Sequence, residues 1–159
     1  MLVYVLNKYG KPLMPCQPSK ARKLLKQGKA KVVKKSPFII QLLYGSSGYK
    51  QPITLGVDAG SKFIGLSATT DKQELFSAEV DLRNDIVRLL SDRRQYRKSR
   101  RSRTTRYRKP RYNNRVKSKN KGWLAPSVEN KIQAHFNIID KTHQILPISK
   151  IIVEVGNSL

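Results

Sequence analysis

The hydrophobic pattern of this chain changes period several times, and each change marks a segment. Leu2 to Leu6 is a short, β-rich apolar run that predicts a strand, followed by a turn at Asn7 to Gly10. Pro12-Leu13-Met14-Pro15 then breaks any regular element. Ser19 is placed to cap a short basic helix from Lys20 to Gln27, with Gly28 as its C′ residue. Val32-Val33 and Phe38 to Tyr44 predict two more strands, separated by Ser36-Pro37. Gly45-Ser46-Ser47-Gly48 reads as a flexible joint. Three strands and one helix bury little by themselves, so this unit is expected to dock on its neighbour or on RNA.

Beyond the joint, Ile53 to Val57 is a continuous apolar run of the kind buried on both faces. Asp58-Ala59-Gly60-Ser61 predicts a turn, and Ile64 to Thr69 and Leu75 to Val80 predict two further strands. From Asp85 the spacing becomes helical, with Leu82, Ile86, Val87 and Leu90 on one face and Pro110 ending or kinking the helix. Asn113 to Gly122 reads as extended. Pro126 opens a second helix whose apolar face carries Val128, Ile132, Phe136, Ile139 and Leu146, closed by Pro147. Ile151 to Val155 predicts a last strand. The expected fold is therefore α/β, with divisions at 1–48, 49–84, 85–122 and 123–159.

Charge changes the picture more than composition does. The chain carries 33 Lys+Arg against 10 Asp+Glu, a net +23 over 159 residues. Fifteen of those cations fall in the twenty-nine residues from Arg93 to Lys121, and no acidic residue stands between Asp92 and Glu129. Such a run cannot enter a core, because an unpaired buried charge costs several kcal/mol. It repels itself until a polyanion neutralises it. Tyr96, Tyr107 and Tyr112 within the run offer faces for base stacking. The nucleic-acid-binding candidates are Arg93, Arg94, Arg97, Lys98, Arg100, Arg101, Arg103, Arg106, Tyr107, Arg108, Lys109, Arg111 and Arg115. A solvated charged face is the plain alternative, although such faces usually mix signs.

No apolar run is long enough to span a bilayer, and the opening residues do not form a signal peptide. The single Cys16 excludes an internal disulfide framework and fits a reducing, cytoplasmic setting. His135 and His143 lie eight residues apart on one helix, a poor geometry for a shared metal. Trp123 reads as a packing anchor before its helix rather than a stacking platform.

Two carboxylates stand out. Asp58 closes an apolar strand beside a glycine turn, and Glu154 interrupts Ile151-Ile152-Val153-Glu154-Val155. An ionised carboxylate in an apolar strand must be paired, hydrogen-bonded or bound to a metal. If the two strands are parallel neighbours, both carboxylates emerge at the sheet edge where open α/β sheets bind ligands. Two carboxylates with substrate phosphates suit Mg²⁺, which supports phosphodiester hydrolysis. The alternative is that Asp58 caps a turn and Glu154 pairs with a lysine.

At this point the chain resembles a known family. Gly56-Val57-Asp58-Ala59-Gly60-Ser61-Lys62 with Ile64-Gly65-Leu66-Ser67 is similar to the first motif of RuvC-type, RNase H-like nucleases. Arg93-Arg94-Gln95-Tyr96-Arg97-Lys98-Ser99-Arg100-Arg101 resembles the arginine-rich bridge helix and RRXRR signature of the IscB proteins, transposon-associated RNA-guided DNA endonucleases. Pro12-Leu13-Met14-Pro15 resembles the motif that names their PLMP domain, and Ile151 to Val155 resembles the second RuvC motif. The motifs stand in family order over nearly the whole chain.

The resemblance implies an incomplete RNase H-like fold behind a small α+β PLMP module. It implies Asp58 and Glu154 as catalytic metal ligands for Mg²⁺, and an arginine run gripping guide RNA and its heteroduplex with target DNA. A full family member continues into an HNH nuclease domain and a third RuvC motif. The chain is accordingly expected to be an N-terminal fragment, inactive in cleavage alone, whose nuclease portion is missing. Two other readings stay open: a ribosomal-type structural RNA-binding protein, and an actin-like or sugar-kinase-like ATPase lobe sharing an Asp-x-Gly turn.

Overall fold

The computed structural model describes residues 2–103 and 121–154. Two mixed four-stranded sheets and three helices make up these residues, a mixed α/β architecture. The first sheet joins β1 (Val3–Leu6), β2 (Pro12–Cys16), β3 (Ala30–Lys34) and β4 (Ile39–Leu42) in the order β2-β1-β4-β3. β1 runs parallel to β4 and antiparallel to β2, and β3 pairs antiparallel with β4.

The PLMP segment is a strand, not a break, so this sheet has four strands where the sequence pattern predicts three. β2 is an edge strand whose first residue is Pro12. Its pairing is irregular between Val3 and Val5, opposite Met14 and Pro15. Strand starts, edges and bulges are the places where a missing N–H costs no ladder bond. The helix α1 (Pro18–Lys26) also begins earlier than predicted. Pro18 occupies the first helical position, Gln17 is the N-cap, and Ser19 lies inside the first turn and caps nothing. Gly28, at φ +65°, follows the C-cap Gln27 as expected.

Both faces of the first sheet are covered. Val3, Val5, Ile40 and Leu42 pack with Ala21 of α1, whereas Tyr4 and Ile39 join the core of the second sheet. The Tyr4 ring meets Phe76 edge-on at 6.3 Å, and its hydroxyl donates to the carbonyl of Leu75 at 3.4 Å.

The second sheet orders β5 (Thr54–Ala59), β6 (Phe63–Thr69), β7 (Glu74–Asp81) and β8 (Lys150–Glu154) as β7-β6-β5-β8. The first three form an antiparallel meander, and β8 joins β5 in parallel. Ile53, Leu55, Ile64, Ala68 and Leu146 are fully buried in its core. Each large aliphatic among them contributes about 1.5–3 kcal/mol by leaving water.

Three expectations fail here. β5 is not buried on both faces: Leu55 and Val57 face the core, while Asp58 is exposed on the other side and belongs to the strand rather than to a turn. The helix α2 (Ile86–Ser102) buries nothing, with Val87 80% and Leu90 56% exposed; Leu82 is buried but precedes the helix. The helix α3 (Pro126–His143) packs through Ala134, Ile138, Ile139 and Thr142, leaving Val128, Ile132 and Phe136 exposed. Leu146 is in the core but lies beyond the helix end. Pro110 and residues 113–120 lie outside the described residues. No helix among the described residues is long and apolar enough to cross a membrane.

Candidate functional site

The parallel pairing of β5 and β8 brings two distant parts of the chain together. Ser149 fixes where that pairing starts. Its hydroxyl accepts the Ile53 N–H at 2.9 Å and donates to the Ile53 carbonyl at 2.8 Å. The Ser149 N–H also donates to that carbonyl, at 2.9 Å. From this anchor both strands advance in step, Thr54 opposite Lys150 and onward, until Asp58 stands directly opposite Glu154. Neighbouring strands lie about 4.8 Å apart, so the two carboxylates share one face at adjacent positions.

That face is an open trough. Asp58, Glu154, Gly65, Ser67, Ser77, Glu79 and Ile152 line it. Gly65 pairs with Asp58 across the antiparallel β5–β6 ladder, and a Cβ there would meet the Asp58 Cβ at 3.3 Å and Oδ2 at 3.8 Å. A side chain at position 65 would crowd the carboxylate; glycine leaves it open. Gly60 has a separate role in the turn, where a Cβ would strike the Phe63 carbonyl. Glu79 extends the Asp58 row across Gly65, two strand spacings from Asp58. Among the described residues no group of three or more His, Cys, Asp or Glu is gathered closely enough to hold a metal.

All five residues of β8 are exposed. Glu154 is therefore a solvated carboxylate at the sheet edge, not the buried charge that its apolar neighbours suggested, and burial imposes no need for a partner. The donor set is two carboxylates, open to water. It fits Mg²⁺, which keeps several waters and takes one or two carboxylates with substrate phosphates, and does not fit a closed protein cage.

The second candidate surface is α2. At 100° per residue, Arg93, Arg94, Arg97, Lys98 and Arg101 fall within an arc of about 140°; Arg100 lies about 20° beyond its edge, and Arg103, just past the helix end, continues toward Tyr96. Those five cations and Leu90 bound a shallow groove along the helix, and the row spans about 12 Å. The ion pairs among the described residues are Arg83–Asp85 at 2.6 Å and Arg88–Asp92 at 4.0 Å, both before the row. Hydrogen bonding to Arg83 holds the Asp85 carboxyl below its ordinary range, so this residue at the helix start is engaged outside the helix. The cations of the row face solvent with no ion pair among the described residues. Arg106, Tyr107, Arg108, Lys109, Arg111 and Arg115 lie outside the described residues, as does Tyr112.

A family model described as RRXRR protein aligns with residues 3–158 of the chain. The chain belongs to the RRXRR family. The RRXRR domain is characteristic of IscB-type proteins. No curated protein matches the chain. Within this RRXRR chain, the structure brings together the two carboxylates singled out in the sequence and displays the described part of the arginine run on one solvent-facing helix. Sequence reasoning missed Ser149 and Gly65. The signal for Ser149 was countable, since Ile53 to Asp58 and Ser149 to Glu154 are both five steps. The signal for Gly65 was not, because its role exists only once β5 and β6 pair.

His135 and His143 lie eight residues apart on α3, about 12 Å of helix rise. The Nδ1 of His135 lies 2.8 Å from the Lys131 carbonyl one turn earlier, a contact within the helix. Trp123, read as a packing anchor before its helix, is 46% exposed.

Proposed function

We propose that this RRXRR chain is the guide-RNA-binding and partial RuvC portion of an IscB-type, RNA-guided DNA endonuclease. The reading is carried by the alignment of Asp58 with Glu154 on adjacent parallel strands, which is what an RNase H-like metal site requires of its first and second motifs. The four-stranded sheet with a three-stranded meander and a parallel fourth strand is consistent with the opening half of that fold.

In this reading Asp58 and Glu154 hold Mg²⁺ through one carboxylate each. When bound, the ion supplies charge neutralisation and an activated water for phosphodiester hydrolysis. Gly65 keeps the trough open for the phosphate. The cationic row of α2 holds the guide RNA and its heteroduplex with target DNA by backbone charge and shape, and base pairing supplies sequence specificity. Residues 1–48 act as a PLMP-type module, 49–84 as the first RuvC segment, 85–122 as bridge helix and basic linker, and 123–159 as the second RuvC segment. Two carboxylates suffice to bind an ion but not to complete a three-carboxylate site, so binding without cleavage is expected of these residues alone.

The test is to express the chain beside its native genomic locus, purify it in moderately high salt, and sequence the RNA that remains bound. One structured RNA encoded next to the gene is expected. A broad sample of cellular RNA would instead support a structural RNA-binding protein.

A further inference from the structure

The first acidic residue of the chain is Asp58; the fifty-seven residues before it contain eleven Lys and Arg. This uniformly basic module holds a cavity of about 210 Å³ between β2, α1 and the segment after β4. The volume is below the usual range for drug-sized ligands and suits a group the size of one ring system.

The lining has three chemically distinct parts. Val5, Leu13, Leu24 and Leu42 form an aliphatic floor. Tyr44 and Tyr49 stand at the wall, 42% and 74% exposed, although tyrosines normally bury much of their ring unless something covers it. Lys20, exposed in the first turn of α1, and the hydroxyl-bearing Ser46 and Ser47 complete the lining. An aliphatic lining, exposed aromatic rings, hydroxyls able to hydrogen-bond and an exposed cation together match a planar heteroaromatic ring carrying an anionic group.

We propose that this cavity binds one unpaired nucleobase of a single-stranded nucleic acid, stacked on Tyr44 or Tyr49, with Lys20 on its phosphate. The absence of any acidic side chain in the module supports this occupant over an apolar or basic peptide, because charge draws the strand and the tyrosines hold its base. The site is separate from the carboxylate pair and from α2, and does not depend on either being a nuclease element. RNA and DNA share the chemistry that it recognises.

Cys16 lines the same cavity and is the chain's single cysteine, so it reports on occupancy. Burial pushes its thiol pKa up, with Lys20 and the Ala21 N–H pulling the other way, so alkylation of the empty site is slow but measurable at mildly alkaline pH. The experiment follows Cys16 alkylation by iodoacetamide in the full chain with a short single-stranded RNA, the matching DNA, and a base-free sugar-phosphate oligomer. Both base-bearing strands are expected to protect Cys16 and the base-free one is not; stronger protection by RNA would add a 2′-hydroxyl contact. Tyr44→Ala or Tyr49→Ala is expected to weaken the protecting affinity about 5- to 150-fold. The corresponding Phe variants are expected to keep it. Equal protection by the base-free oligomer, protection by anionic vesicles alone, or unchanged affinity in both Ala variants would overturn the proposal. Both tyrosines are exposed, so their removal leaves the core intact, and the protection assay itself uses the unaltered chain.

Discussion

Asp58 and Glu154 are ninety-six residues apart in sequence and direct neighbours across a parallel strand pair. Two like charges at adjacent sheet positions disfavour folding by roughly 0.2–1 kcal/mol unless a cation lies between them. Asp58→Asn is therefore expected to raise the melting temperature slightly in a chelating buffer. Mg²⁺ should raise the melting temperature of the unaltered chain and not that of the variant. Thermal melts with and without Mg²⁺ check both, and identical Mg²⁺ responses would remove the metal from this pair.

Placement of the carboxylates depends on residues that are not ligands. Ser149→Ala deletes two part-buried hydrogen bonds to Ile53 at the start of the β5–β8 pairing. A loss of about 1–3 kcal/mol is expected, since net hydrogen-bond contributions are near 1 kcal/mol each. Gly65→Val acts differently, putting a branched side chain against the Asp58 carboxylate. It should abolish the Mg²⁺-dependent melting shift even where the fold survives, as judged by circular dichroism. Retention of the full shift in Gly65→Val would mean that the trough is not the ion's site.

The arginine helix gives a test that folding cannot confuse, because α2 buries no residue and alanine is the strongest helix former. Replacing Arg93, Arg97 and Arg101 together, all on one face, is expected to weaken RNA binding sharply. The slope of log affinity against log salt should become shallower by about 2, at roughly 0.7 per phosphate contact on a single strand. Replacing Arg88 and Arg103, which lie off that face, should change both less for each charge removed. Equal effects per charge removed would show that net charge acts rather than a directed row.

Legibility differed by element for physical reasons. The strands of the second sheet were readable because each is a short apolar, β-branched run bounded by turn residues, and the Asp58–Glu154 pairing followed once β5 and β8 were taken as parallel. Pro12 and Pro15 misled because the rule against proline in strands does not hold at starts, edges and bulges, and edge position is a property of the sheet. Ser19 misled because Pro18 begins the helix two positions before the expected start at Lys20. Ile86, Val87 and Leu90 have the spacing of a buried stripe, yet spacing cannot state whether anything lies opposite. The charge run carried the better information there, since seven cations on one short helix oppose its burial.

The same distinction governs α3, where periodicity set Val128, Ile132, Phe136, Ile139 and Leu146 on one face, and of these it is Leu146, in the turn beyond the helix, that is fully buried. Leu146→Ala is expected to destabilise the chain by about 2–5 kcal/mol, the range for emptying a packed site. Phe136→Ala, removing a side chain that is 56% exposed, should cost less than about 1 kcal/mol. Urea unfolding of the two variants separates them directly. If Phe136→Ala proved as costly as Leu146→Ala, the Val128–Ile132–Phe136 stripe would have to be covered in solution, and the concentration dependence of the transition would show whether a second copy covers it.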